Sequence, residues 1–504
     1  MIPATLQIKK LFANSVKISV VDHVIQTVKQ TIEELDLIYI KGEQSDLENA
    51  FKYVQFMNLR KLELRGLIDN NVCLILKGCS STIESFVWEH QPKYKYSEWE
   101  NDHYPTDFDP NILCEIKPRL VNMDLIYIPQ NIAEMLIKSS SQSLKYLQLS
   151  LPEFMEKEWH RKLNLDQVKL QLIKLTAKDL CLDNVAVLLN CTGETLQSFE
   201  YSHYQMETFQ PDDDLFSEII GKQMDRIELP YLKYFKAMNV SSSIVGPVLV
   251  ASQETLQNLT LSNISRKRHL LKEPIQLKKL RNFIATQVHP SHVEYIIRSC
   301  HESLKEINLV KIKRNLTSPD WMNSMKNLQL THLQIYETFG DVVVTIIENC
   351  YHSLQSIFME DCNFKNEDIK RLESIKLNKL GTLRFVCIPT SVVNVLIKCS
   401  SQTLKKLGWF SNQKPVYGLK RMGARGEELD GKIDLEDRQL QLTSFVAGDI
   451  PAVYAAALIK ASRSTLEWLS LQNIYGKRLK ASENRAYQSR KYAYGYKVFI
   501  IILV

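Results

Sequence analysis

Residues 396–409 read LIKCSSQTLKKLGW, and the same plan recurs along the chain. It returns as LIKSSSQSLKYLQL (136–149), LLNCTGETLQSFEY (188–201), IIRSCHESLKEINL (296–309), IIENCYHSLQSIFM (346–359) and LIKASRSTLEWLSL (458–471). Each copy ends in LxxLxL or a close variant of it. The first positions of this series are Ile83, Leu144, Leu196, Leu256, Leu304, Leu354, Leu404 and Leu466. A second series begins at Leu59, Leu120, Leu172, Leu232, Leu280, Leu330, Leu380 and Leu442. Every member stands at one fixed offset before its partner in the first series, as Leu59 does before Ile83 and Leu442 before Leu466. The gaps in the other direction vary, from the short step Leu256 to Leu280 to the long one Leu404 to Leu442. A fixed span alternating with a variable one is the mark of a structural repeat. Position one is Leu in fifteen segments and Ile in one, position four is Leu, Ile, Met or Phe, and position six is apolar throughout, from Ala177 to Trp88. Ile32, Leu35 and Leu37 form a seventeenth, weaker copy.

The pattern sets the local structure. Side chains alternate along a strand, so LxxLxL gives a short strand with positions four and six buried and the residues between them facing outward. An amphipathic run such as Val392–Ile397 precedes each first-series strand, with helical length and spacing. Pro129, Pro290, Pro389 and Pro451 stand at a nearly constant distance before the next anchors, Leu144, Leu304, Leu404 and Leu466. Proline is tolerated in a first helical turn and not in a middle one, so these mark helix starts. Strand, turn, helix, turn and strand in succession give parallel strands joined by right-handed crossovers. The period is that of the leucine-rich repeat, whose unit is roughly 20–29 residues. The expected fold is therefore α/β: a leucine-rich-repeat solenoid, or horseshoe, with a parallel concave β-sheet and convex helices. Its domains are an N-terminal cap at 1–31, the array at 32–475, and a basic then apolar tail at 476–504.

Size and composition agree with an array. A chain of 504 residues exceeds what one hydrophobic core usually organises. Apolar residues make up 45 %, as in ordinary globular proteins. A net charge of +6 spread over this length gives no strong pull toward nucleic acid or anionic membrane. The opening MIPATLQIKKLFANS lacks the apolar run of a signal peptide, and no segment has the roughly 18–20 apolar residues of a membrane helix. The ten cysteines show no CxxC pair and no regular Cys/His spacing. The expected compartment is reducing, cytosol or nucleus. Cys79, Cys191, Cys300, Cys350 and Cys399 fall just before a strand anchor, four or five positions ahead of it, where a small buried residue closes the corner between helix and strand.

The pairing of LIKxSSxTLxxLxL segments with second strands at that fixed offset resembles the repeat region of F-box/leucine-rich-repeat proteins, particularly the large fungal families. The resemblance covers about residues 32–475. It implies a substrate receptor of an SCF-type, cullin-RING ubiquitin ligase. An F-box before the repeats would dock the adaptor Skp1, but residues 1–31 show no Leu-Pro start and no three-helix pattern. The wider repeat family continues with Asn or Cys at position nine. Cys362 and Asn412 match this, and few other units do.

A binding face follows from the strand pattern. Positions three, five and seven form the concave wall, with seven basic residues (Lys61, Arg65, Lys174, Lys178, Lys236, Arg384, Lys406) against six acidic ones (Glu63, Glu89, Asp124, Glu200, Glu306, Glu360). A nucleic-acid groove needs a basic excess. A balanced wall with aromatics suits a protein partner, where Tyr, Trp and Arg carry much of the energy. The candidates on the wall are Tyr146, Tyr234, Tyr336, Phe358, Arg384, Lys406, Phe410 and Trp468. Long insertions at roughly 89–119, 202–229 and 410–439 leave one edge of the array and could rim the same site. The first contributes Tyr94, Tyr96 and Trp99.

Other signals carry less. Gly426–Lys432 matches the end of a phosphate loop, but Ile433 stands where the magnesium-binding hydroxyl belongs. His289 and His292 have HxxH spacing without a third ligand. The cluster Lys477, Arg478, Lys480, Arg485, Arg490 and Lys491 reads as a solvated charged end. No catalytic constellation, cofactor site or metal site is expected. The alternative to a ligase receptor is a stand-alone interaction scaffold or inhibitor.

Overall fold

The computed structural model describes residues 7–42, 50–67, 69–90, 116–150, 162–203, 227–264, 275–312, 328–411, 433, 435, 438–474, 500 and 501. The chain divides into two compact units, Met1–Leu256 and Gln257–Val504. Both are α/β solenoids of the leucine-rich-repeat type.

In the first unit the parallel strands are β1 (Lys10–Asn14), β2 (Glu34–Ile38), β3 (Lys61–Arg65), β4 (Ser85–Glu89), β5 (Asn122–Ile126), β6 (Tyr146–Ser150), β7 (Lys174–Lys178), β8 (Ser198–Ser202) and β9 (Tyr234–Met238). Each pairs with the next in chain order, in step along its whole length. Its helices are α1 (Ile18–Val28), α2 (Asp69–Cys79), α3 (Gln130–Ser139), α4 (Leu182–Thr192) and α5 (Ser242–Ala251).

The second unit repeats the plan with β10 (Asn258–Ser262), β11 (Asn282–Thr286), β12 (Glu306–Val310), β13 (His332–Tyr336), β14 (Ser356–Glu360), β15 (Thr382–Val386), β16 (Lys406–Phe410), β17 (Ser444–Gly448) and β18 (Trp468–Gln472). These are also parallel and in step. Its helices are α6 (Pro290–Cys300), α7 (Gly340–Cys350), α8 (Asn366–Glu373), α9 (Thr390–Cys399) and α10 (Ala452–Ala461). A short strand, β19 (Ile500–Ile501), runs antiparallel to β18.

Every parallel strand spans positions three to seven of a repeat. Positions four and six point into the core, as Leu62 and Leu64, Phe86 and Trp88, or Leu407 and Trp409 show. Burying one such side chain is worth roughly 1.5–3 kcal/mol, and each coil needs its neighbours to achieve it. The repeat starts earlier than the leucine pattern indicates. Strand β1 carries a further copy, Ile8, Leu11 and Ala13, whose Lys10 pairs with Glu34 at the same fixed offset.

Coils alternate in kind. A helix lies within each fixed span, from α1 between β1 and β2 to α10 between β17 and β18. Among the described residues, only α8 lies in a variable span, and Arg371 ties it to α7 through Glu348 (3.0 Å) and the Thr345 hydroxyl (3.0 Å). The four prolines stand at helix starts: Pro129, Pro389 and Pro451 just before α3, α9 and α10, and Pro290 as the first residue of α6. No helix among the described residues is long and apolar enough to cross a membrane.

Three small devices hold the coils in register. Among the described residues, the one directly after the strand takes a left-handed conformation in fourteen coils, and Gly66 is the one glycine among these fourteen. Six are Asn or Asp (Asp179, Asn239, Asn263, Asp361, Asp449 and Asn473), which tolerate this region best among residues with a Cβ. The turn keeps the ladder going for one more bond, as when the Asp361 N–H donates to the Val386 carbonyl (3.0 Å). At position nine, buried aliphatics such as Ile128, Leu180, Ile312 and Ile450 stand where the resemblance implies Asn or Cys. Packing therefore closes this turn in most coils. Cys362 does match the implied residue, and its Sγ lies 3.5 Å from the Glu360 carbonyl. Asn412 lies outside the described residues.

The third device precedes the first-series strands. Thr31, Thr82, Ser143, Thr195, Thr255, Ser303, Ser353, Thr403 and Thr465 all stand directly before an anchor. Their hydroxyls reach the end of their own helix and, in eight of the nine, a carbonyl of the preceding coil, as in Ser143 to Leu120 (2.8 Å) and Thr465 to Leu442 (2.9 Å). The cysteines divide by position. Four places before the anchor, Cys79, Cys300 and Cys350 are buried, and the thiols of Cys300 and Cys350 donate to carbonyls one helical turn back (2.9 Å each). Five places before it, Cys191 and Cys399 are half-buried and turn toward the preceding coil, at the carbonyls of Leu165 (3.6 Å) and Leu372 (3.4 Å).

Candidate functional site

The core consumes one face of each sheet, which leaves positions three, five and seven as the outward face. With β1 and β2 included, the ionised residues there are balanced, eight basic and eight acidic, with Lys10 joining one side and Glu34 and Asp36 the other.

In the first unit the signs are sorted along the sheet. Strands β2 to β5 carry Glu34, Asp36, Glu63, Glu89 and Asp124 around Lys61 and Arg65, while β7 to β9 carry Lys174, Lys178 and Lys236 around Glu200. Arg65 is tied to Glu63 (2.5 Å) and Glu89 (3.3 Å), and Lys174 to Glu200 (2.9 Å). The hydrogen bond from Arg65 to Glu63 raises the Arg65 pKa. Burial pushes the Asp36 carboxyl up, and Glu63 pushes it further. Burial likewise raises Asp124, against the pull of Lys178. Tyr146 is 42 % exposed, and Tyr234 is half-buried. Phe12 on β1, 63 % exposed, is an outward aromatic that the leucine pattern did not reach. The fixed offset counted back from Ile32 would have found it.

In the second unit the aromatics gather. The rings of Tyr336 and Phe358 are 5.0 Å apart, and Arg384 lies over both Phe358 and Phe410. Arg384 and Lys406 are exposed, and Trp468 is 50 % exposed. Outward position does not guarantee access. Phe410, expected on an open wall, is buried. Glu360, Val386, Thr176 and Ser150 are buried at outward positions as well. At Phe410 a longer neighbour, Arg384, lies across the position.

The sequence matches no protein-family model and no curated protein.

Tyr94, Tyr96 and Trp99 lie outside the described residues, as do Gly426–Lys432 and the basic cluster from Lys477 to Lys491. His289 precedes the first turn of α6, where its Nδ1 accepts from the Ser291 N–H (3.3 Å), and His292 is buried. Their spacing reflects a helix start. Among the described residues no group of three or more His, Cys, Asp or Glu is placed to hold a metal ion.

Proposed function

We propose that this chain is a protein-binding leucine-rich-repeat module that holds a target on the outward face of its sheets. One observation carries the reading: the outward face combines balanced charge with accessible Tyr146, Arg384, Lys406 and Trp468. Balanced charge disfavours a polyanion, and accessible aromatic and Arg side chains are the groups that dominate protein interfaces. The role is binding, with no chemistry of its own.

The resemblance to F-box/leucine-rich-repeat proteins extends this reading to substrate recognition for an SCF-type ubiquitin ligase. The free thiols suit a cytosolic or nuclear setting. Affinity purification of the full chain under gentle conditions tests both levels. A target protein recovered together with Skp1 and a cullin supports the receptor reading. A target recovered without them leaves a stand-alone scaffold. Recovery of nucleic acid in place of protein overturns the proposal.

A further inference from the structure

On the outward face of β13 to β16, four side chains form a row in which Arg384 is clamped. Its Cζ lies 5.2 Å from the centre of the Phe358 ring and 5.8 Å from that of Phe410. Tyr336 extends the row 5.0 Å beyond Phe358.

Two glycines make room for this arrangement. Gly408 stands opposite Arg384 in the ladder, and a Cβ there would lie 3.2 Å from the Arg384 Cγ. Gly448 stands opposite Phe410, where a Cβ would lie 2.8 Å from the Phe410 Cδ1. Neither glycine has a positive φ, so neither is there for a left-handed turn. Glycine weakens a strand interior and often marks a close approach across it. Here the approaching groups are the stem of Arg384 and the ring of Phe410.

Among the described residues the clamped cation faces no anion. Among the described residues, no carboxylate lies within ion-pair distance of Arg384 or of its neighbour Lys406, whereas Arg65 and Lys174 on the first unit are both paired. The two rings hold the guanidinium carbon 5.2 and 5.8 Å from their centres and offer its N–H groups no carboxylate, so among the described residues those donors are open to an anion. A guanidinium presents a planar fork that takes a carboxylate bidentately, and one already packed against two rings loses less freedom on binding than a free side chain.

We propose that the Phe358–Arg384–Phe410 clamp binds the carboxylate of an Asp or Glu in an extended segment of a protein partner, with an apolar side chain of that segment against Tyr336 and Phe358. Alternate residues of an extended chain project to one side about 6.7 Å apart. That is longer than either the 5.0 Å ring-to-ring step or the 5.2 Å ring-to-cation step and shorter than the two together. An apolar side chain seated between the Tyr336 and Phe358 rings therefore brings the residue two places on to Arg384, which gives the motif apolar–x–acidic. The inference rests on the protein-binding reading above and specifies it.

The test uses the full chain and a displayed library of random peptides, followed by fluorescence anisotropy on the enriched peptides. Enrichment of apolar–x–Asp/Glu is expected. Twins with Asn or Gln in place of the acid should bind about tenfold more weakly, and Arg384→Gln and Arg384→Lys should each cost a similar factor without moving the thermal midpoint. Enriched peptides without an acid, bound equally well by Arg384→Gln, would overturn the clamp and leave protein binding standing. Recovery of neither a peptide nor a protein target sinks both readings. A phosphopeptide or single-stranded RNA as the only ligand sensitive to Arg384 also overturns the carboxylate assignment.

Discussion

The Thr403 hydroxyl lies 2.9 Å from the carbonyl oxygen of Leu380, the anchor of the preceding coil, and 3.1 Å from that of Leu377. Ser303 makes the same pair of contacts in an earlier coil pair, to Leu280 (2.9 Å) and Leu277 (3.0 Å). A side chain directly before the anchor thus bridges one coil to the next in a half-buried seam. Thr403→Val keeps the shape and removes the donor. The Leu377 carbonyl keeps the Leu380 N–H as a donor, so the loss falls on the bridging hydrogen bond to Leu380 and costs about 0.5–1.5 kcal/mol. The thermal midpoint of Thr403→Val should fall, and that of Thr403→Ser should stay near the parent. Equal midpoints for all three would show that the hydroxyl contributes nothing.

Leu333 is buried at position four of β13, paired in register with Ile307 and Ile357. A carboxylate there cannot be ionised without several kcal/mol of desolvation. Leu333→Asp should give insoluble protein, or soluble protein whose second unit is cut rapidly by protease. A soluble variant as resistant as the parent would contradict the packing described here.

Gly78 and Gly193 sit at helix ends pressed against the coil beside them. A Cβ at Gly78 would collide with the Val54 carbonyl oxygen, and one at Gly193 with that of Glu228. Backbone cannot yield as a flexible side chain can, so Gly78→Ala should cost about 1–3 kcal/mol. Gly381→Ala is the control, because the nearest atom to its Cβ would be 3.9 Å away. Urea unfolding of the two variants should separate them, and coincident curves would refute the close approach.

Burial pushes the Cys362 thiol up from its ordinary value of 9.0 to about 12, and raises Cys300 and Cys350 as well. The folded state therefore favours the protonated thiol. The stability this linkage contributes is fully present below pH 9.0 and is lost as pH rises toward about 12. At mildly alkaline pH these thiols should resist iodoacetamide in the native protein and react in urea, as read by mass spectrometry. Rapid native labelling would place them at the surface.

Tyr146 and Trp468 stand exposed on the outward faces of the two units and support little of the core. Tyr146→Ala and Trp468→Ala should leave the thermal midpoint within about a degree of the parent. If the target engages both faces, each should weaken its capture by about tenfold or more. Full capture by the double variant would move the binding surface elsewhere.

Much of this was legible in the chain itself. Leu407 and Trp409 are buried because they hold positions four and six, and Pro389 opens α9, as the spacing implied. The Ser/Thr seam was equally visible, since Ser or Thr precedes every first-series anchor, but its meaning depends on the coil it bonds to. The candidate face was only partly legible. Position seven on β16 reads as outward for Phe410, yet the residue is buried. Arg384, which lies over it, comes from the preceding strand β15, and the space beside it comes from Gly448 on the following strand β17. Both are far from Phe410 along the chain.

The sequence by itself determined the period, the strands and helices, and which side chains enter the core, because burial on one face of a short strand is a local, alternating constraint. Tertiary structure alone decided which outward residues touch one another, which cations remain unpaired, and which glycines are there for space. Those properties depend on side chains from separate coils meeting across the sheet, and no spacing along the chain encodes how far a side chain leans.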